Sequence, residues 1–304
     1  MYPIERYDLR IPEPFRLDLT ATVLRRLSTN IVDVFTADGT YLRALGEFDD
    51  PVLVRVSKAQ AGTLSVALEG DRRAHPRALD AVRRILGTDR TLRRFELAAR
   101  RIPWLGPLAR RMRGVKPPRY PTLWEACVNA VLFQQVSIHA ASAILRRLIL
   151  AFGTPIVFSD GVTMPVFPSA QTTLRASDPE LRAAGLSANK IATLRRVGDA
   201  LASGNVTEAM LDERSSEDAA IALRSIKGIG PWTATVVLLR GLGRLDVFPR
   251  NDSGVAASLA FAGGAAHDLE PVLAALAPQQ GMLYYHLLLA RLEARGEIAA
   301  SQKA

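Results

Sequence analysis

The chain has 304 residues, 48% apolar and 23% charged, enough for two domains or for one large domain with an appendage. No apolar run reaches the length of a membrane span, Met1–Arg6 lacks the apolar centre of a signal peptide, and one cysteine, Cys127, excludes an internal disulfide, a four-Cys iron–sulfur cluster and a Cys-based zinc site. The net charge of +9 favours a polyanionic partner, because neutralised phosphates release counterions. The expectation is an intracellular, cytoplasmic protein with no resident metal.

The first 71 residues read as a small antiparallel sheet domain with one helix. Phe15-Arg16-Leu17-Asp18-Leu19 alternates with period two, and Thr20–Leu27 reads as a short helix. Ile31–Phe35 and Tyr41–Leu45 flank Asp38-Gly39, a strong hairpin signal, and Val52–Val56 and Leu64–Leu68 flank a second turn with Gly62. From residue 72 to 304 helical periodicity dominates. Arg77–Leu86 and Thr91–Arg101 read as Arg-rich helices, and Arg72–Arg119 holds 15 Lys and Arg against 3 Asp and Glu. Ile102–Pro121 reads as a connector. Thr122 opens a helix through Phe133, Ser137 caps Ile138–Phe152, and Phe158–Pro168 reads as a loop or short extended excursion. Ser177-Asp178-Pro179-Glu180, Asn189–Ala202 and Ser215-Ser216-Glu217-Asp218 mark further helices, followed by Gly254–Ala262 and Gly281–Arg295.

The most informative stretch is Ile226-Lys227-Gly228-Ile229-Gly230-Pro231-Trp232-Thr233-Ala234, a tight glycine turn between two helices. Gly228 and Gly230 permit positive φ and close backbone approach, and Pro231 suits the first position of the second helix. Free N–H groups at that helix start form a phosphate site, with Gly228, Ile229, Gly230 and Thr233 as its candidate residues. Without a ligand, the same motif is an ordinary helix connector. Asp252, some twenty residues on, is a candidate for chemistry on whatever carries the phosphate; it also suits an N-cap.

Ser225–Ala234 followed by Asp246-Val247-Phe248-Pro249-Arg250-Asn251-Asp252 resembles the helix–hairpin–helix DNA glycosylase superfamily, and within it the alkylbase branch, 3-methyladenine DNA glycosylase II. Pro121–Ser137, with Phe133-Gln134-Gln135-Val136-Ser137, resembles that branch's strand-separating block; Leu181–Leu201 and Gly281–Leu292 resemble two more. The resemblance implies an α+β chain, the small sheet domain followed by a mostly α-helical domain of two lobes with the site between them. It implies a monomer that excises alkylated bases from double-stranded DNA in base-excision repair. Asp252 is then the catalytic carboxylate, a fixed negative charge near a sugar cation. The base must be flipped out of the stack, with Gln134 or Gln135 as the wedge. Trp232 stands where backbone-cleaving relatives carry a Schiff-base lysine, so the resemblance implies a monofunctional, water-using enzyme. Trp232, Val236, Ser253, Met282 and Tyr285 are the implied base pocket, poorer in aromatics than the branch's usual pattern. No cofactor is implied except an alkali ion at the hairpin carbonyls. Two other readings remain open on the residues: a non-catalytic DNA-binding module, and a glycosylase for oxidised or deaminated bases.

Overall fold

The computed structural model describes residues 2–46, 50–262 and 269–298. A five-stranded sheet comes first: β1 (Ile4–Arg10), β2 (Val34–Phe35), β3 (Tyr41–Leu45), β4 (Val52–Gln60) and β5 (Thr63–Glu69), in the order β1-β5-β4-β3-β2 with every neighbouring pair antiparallel. Register places Val56 opposite both Tyr41 and Val66, so the alternating residues of β4 and β5 share one face. That face, with Val52, Val54, Val56, Leu64, Val66 and Leu68, joins the main core. The other face sets Ala44 and Leu53 against Phe158 and Met164 of a small hairpin, β6 (Pro155–Val157) and β7 (Thr163–Pro165), where a loop or extended excursion was expected.

Two local expectations are corrected. Phe15–Leu19 is no strand: Leu17–Arg25 is helical, and the first strand lies earlier, at Ile4–Arg10. Phe15, Leu17 and Leu19 are buried all the same, which is why their spacing imitates a strand. The expected connector Ile102–Pro121 contains a helix, Leu105–Arg111. Pro107 is tolerated there because it sits in the first turn, whose N–H groups have no intrahelical acceptor.

Five of the later helices start at a polar cap. Thr122, Ser137, Ser177, Ser187 and Ser215 each accept a hydrogen bond from a backbone N–H in the first turn of the helix that follows. Helix Leu123–Leu132 is buried on every side. It is tied to the sheet by buried Arg43, whose Nη1 and Nη2 donate to Asp33 (2.6 Å) and Glu125 (2.5 Å). The sheet and the helices share one core cluster. The first helix, through Leu19 and Val23, and Leu27 just beyond its end also pack into a second cluster with Leu239, Phe248, Tyr285 and Leu289. The N-terminal segment thereby reaches the C-terminal helices. No helix among the described residues is long and apolar enough to cross a membrane.

Candidate active site

Helix Ser216–Arg224 turns through residues 225–230 into helix Pro231–Val237, which continues as a wider π-turn over Leu238–Leu242. The turn depends on one glycine. Gly228 has φ +106, and a Cβ there would lie 2.8 Å from Thr193 Cγ2 on helix Ala188–Ala202. Gly230 departs from expectation: it is an extended N-cap, φ −86 and ψ 177, with open space where a Cβ would stand. The helix's first internal bond runs from Ala234 N to Gly230 O (3.0 Å), so the N–H groups of the first turn have no intrahelical acceptor. Such an end attracts anions. Ile229 does not share this role: its side chain is buried and its N–H donates to Ile226 O at 2.9 Å.

Asp252 caps helix Ser253–Ala262, its Oδ1 accepting from Gly254 N at 2.7 Å. Its Oδ2 accepts from the indole Nε1 of Trp232 at 3.0 Å. The cap and the candidate catalytic carboxylate are therefore one group, with each oxygen held by a donor. Asp252 and Trp232 line a cleft of about 1160 Å³ together with Gly228, Gly230, Thr233, Gln134 and Gln135. Hairpin, carboxylate and wedge candidates, far apart in sequence, converge there.

The structure separates the two glutamines. Half-buried Gln134 donates through Nε2 to Gly228 O (3.0 Å) and Thr233 Oγ1 (2.7 Å), tying its turn to the hairpin. Gln135 is exposed and held at φ +56. Lys190 Nζ donates to the carbonyls of Val131, Leu132 and Gln134 at 2.8, 2.9 and 3.0 Å, gripping the end of helix Leu123–Leu132 that carries this turn. Burial pushes the Lys190 amine below its ordinary pKa.

Three expected pocket residues are elsewhere. Val236, Met282 and Tyr285 are 1%, 0% and 0% exposed and belong to the core. The side chain of Ser253 lies outside the described residues. On helix Gly281–Ala294 and its end, the cleft is lined instead by Tyr284, Leu288, Arg291 and Arg295. Their spacing is that of one helical face, and it was readable from sequence had the phase been set from Arg291 and Arg295 rather than from the aromatics. Phe133 and Arg26 also line the cleft. Nothing in the sequence pointed to Arg26. Asp252 lies within electrostatic reach of Arg26 and Arg291. Among the described residues no group of three or more His, Cys, Asp or Glu could hold a metal ion. The carbonyl of Gly228, on the hairpin that the alkali-ion expectation concerns, accepts the Gln134 amide.

Residues 128–271 match the family described as HhH-GPD superfamily base excision DNA repair protein. A DNA-3-methyladenine glycosylase of Bacillus subtilis is 31% identical over 171 residues, 56% of each chain. A probable bifunctional transcriptional activator/DNA repair enzyme AlkA of Mycobacterium tuberculosis is 32% identical over 219 residues, 72% of this chain and 43% of that one. The chain thus spans about half the length of the curated relatives it matches. Among solved structures, the 3-methyladenine DNA-glycosylase from Archaeoglobus fulgidus superposes with TM-score 0.79 at 23% identity, covering 94% of this chain and 98% of that one, so the two share a fold. The glycine hairpin and Asp252 both fall inside the stretch that matches the HhH-GPD family, and the fold agrees over nearly the whole chain.

Proposed function

We propose that the protein is a monofunctional DNA glycosylase. It flips alkylated bases of the 3-methyladenine type out of double-stranded DNA and hydrolyses their N-glycosidic bond, acting as a monomer without a resident cofactor. The observation that carries this reading is the placement of Asp252: a carboxylate with both oxygens held by donors, on the wall of a cleft that also contains an anion-attracting helix start. The hairpin binds a backbone phosphate, Gln135 enters the stack, and the base turns into the cleft. As the bond to C1′ breaks, the sugar becomes cationic and Asp252 stabilises it; water then adds to C1′ and gives up its proton to the Asp252 carboxylate. No lysine stands on the first turn of helix Pro231–Val237, whose Trp232 cannot form a Schiff base, which favours hydrolysis over strand cleavage. The names of the relatives in Bacillus subtilis and Mycobacterium tuberculosis point to the same chemistry.

Base release from methylated DNA by the wild type and Asp252→Asn tests this reading. The expected outcome is 3-methyladenine release by the wild type and a loss of roughly two or more orders of magnitude in the variant, with DNA binding retained. Equal rates would overturn the assignment of Asp252. A borohydride-trapped adduct with abasic DNA would overturn the monofunctional claim.

A further inference from the structure

Arg26 follows the last residue of helix Leu17–Arg25 at φ +62, a left-handed conformation that a non-glycine residue adopts only when its surroundings impose it. Two contacts impose it here. Its N–H donates to Thr22 O, and buried Arg240, beyond the hairpin helix, donates through Nη2 to the carbonyls of Val23 and Leu24 just before it. The side chain is 5% exposed, and the guanidinium lies on the face of Phe133, with Cζ 3.6 Å from the ring centre. Its Nη1 is buried with no hydrogen-bond partner. The groups that act on its charge are Tyr120, Arg240, Tyr284 and Asp252, a second cation among them. A buried guanidinium without a paired carboxylate is costly. This one lines the same cleft as Asp252.

Charge moves along the glycosidic bond during cleavage. The bonding pair goes to the base nitrogen and the sugar is left positive. An alkylated base thereby changes from cation to neutral, and an unalkylated lesion from neutral to anion. A negative group beside the sugar and a positive group beside the base assist both changes. We propose that Arg26 meets the flipped base and stabilises it as a leaving group, opposite in sign and position to Asp252. This rests on the glycosylase reading above. The effect is largest for neutral purine lesions whose edge offers a hydrogen-bond acceptor, since their departing base gains most from a cationic donor. For a cationic base, Arg26 opposes binding but favours departure, the reverse of a residue that merely holds the base.

The test compares wild type, Arg26→Met and Arg26→Gln on duplexes bearing 7-methylguanine, a cationic lesion, or hypoxanthine, a neutral one. For Arg26→Met the expected loss in single-turnover rate is about 10-fold on 7-methylguanine, with no rise in the half-saturating enzyme concentration, and about 100-fold on hypoxanthine. Arg26→Gln, which keeps donors but no charge, should follow it, and stands in if the Met variant does not fold. Equal losses on both lesions, or losses confined to half-saturation, would overturn the leaving-group role. Wild-type protein that releases neither base would instead refute the glycosylase reading itself.

Discussion

The indole Nε1 of Trp232 donates to Asp252 Oδ2 at 3.0 Å, joining the first turn of the hairpin helix to the carboxylate twenty residues later. The tryptophan expected to stack on a base thus also orients the group expected to meet the sugar. Trp232→Phe separates these roles, because it keeps an aromatic ring and removes the N–H. A hydrogen bond to a charged group contributes about 1.5–3 kcal/mol, so the single-turnover rate should fall roughly tenfold or more. DNA affinity, read by fluorescence anisotropy, should be unchanged. A wild-type rate would show that Gly254 N alone suffices to hold the carboxylate.

The two hairpin glycines should respond differently. Gly228→Ala forces a side chain into φ +106 and against Thr193. It should destabilise the fold by about 1–3 kcal/mol, measured by thermal unfolding. Gly230→Ala meets nothing within 4 Å and needs no change of backbone. Its stability should match wild type while its DNA affinity falls, because the new methyl group occupies space at the helix start where a phosphate approaches.

Gln135→Ala should slow excision from duplex DNA and leave excision from a single-stranded oligonucleotide unaffected, since a wedge is needed only where a stack must be opened. Gln134→Ala removes the bonds to Gly228 O and Thr233 Oγ1. It should slow both reactions alike. A duplex-specific loss in Gln134→Ala, with none in Gln135→Ala, would exchange the two roles.

His286 gives a pH signature. It is buried, its Nδ1 donates to Met282 O at 2.9 Å, and burial pushes its pKa from 6.5 down to about 4. Above pH 6.5 the ring is neutral folded or unfolded and contributes no slope. As pH falls from 6.5 toward 4 the unfolded chain takes up a proton that the folded chain refuses, so stability is lost across that window, on the order of 1.4 kcal/mol per pH unit. Denaturant melts at several pH values should show a shallower loss for His286→Gln, which retains a donor for Met282 O.

The caps, the glycine turn and the carboxylate were legible in the sequence because each is local chemistry. A serine before a helix, a glycine at positive φ and a proline at a helix start express backbone needs that neighbouring residues alone decide. Tertiary packing decided which face of a helix meets the cleft. In helix Gly281–Ala294 the residues Met282, Leu283, Tyr284, Tyr285, Leu287 and Leu288 are all buried, so apolar periodicity gives no phase. Tyr284 reaches the cleft and Tyr285 does not because the second core cluster takes Tyr285 fully. Packing also set Arg26 on the cleft that holds Asp252 and sealed Arg240 in the interior, where it grips a helix end. Sequence pattern reports what a residue's own turn or strand requires; contacts across more than two hundred positions arise only when helices and sheet close over a common core.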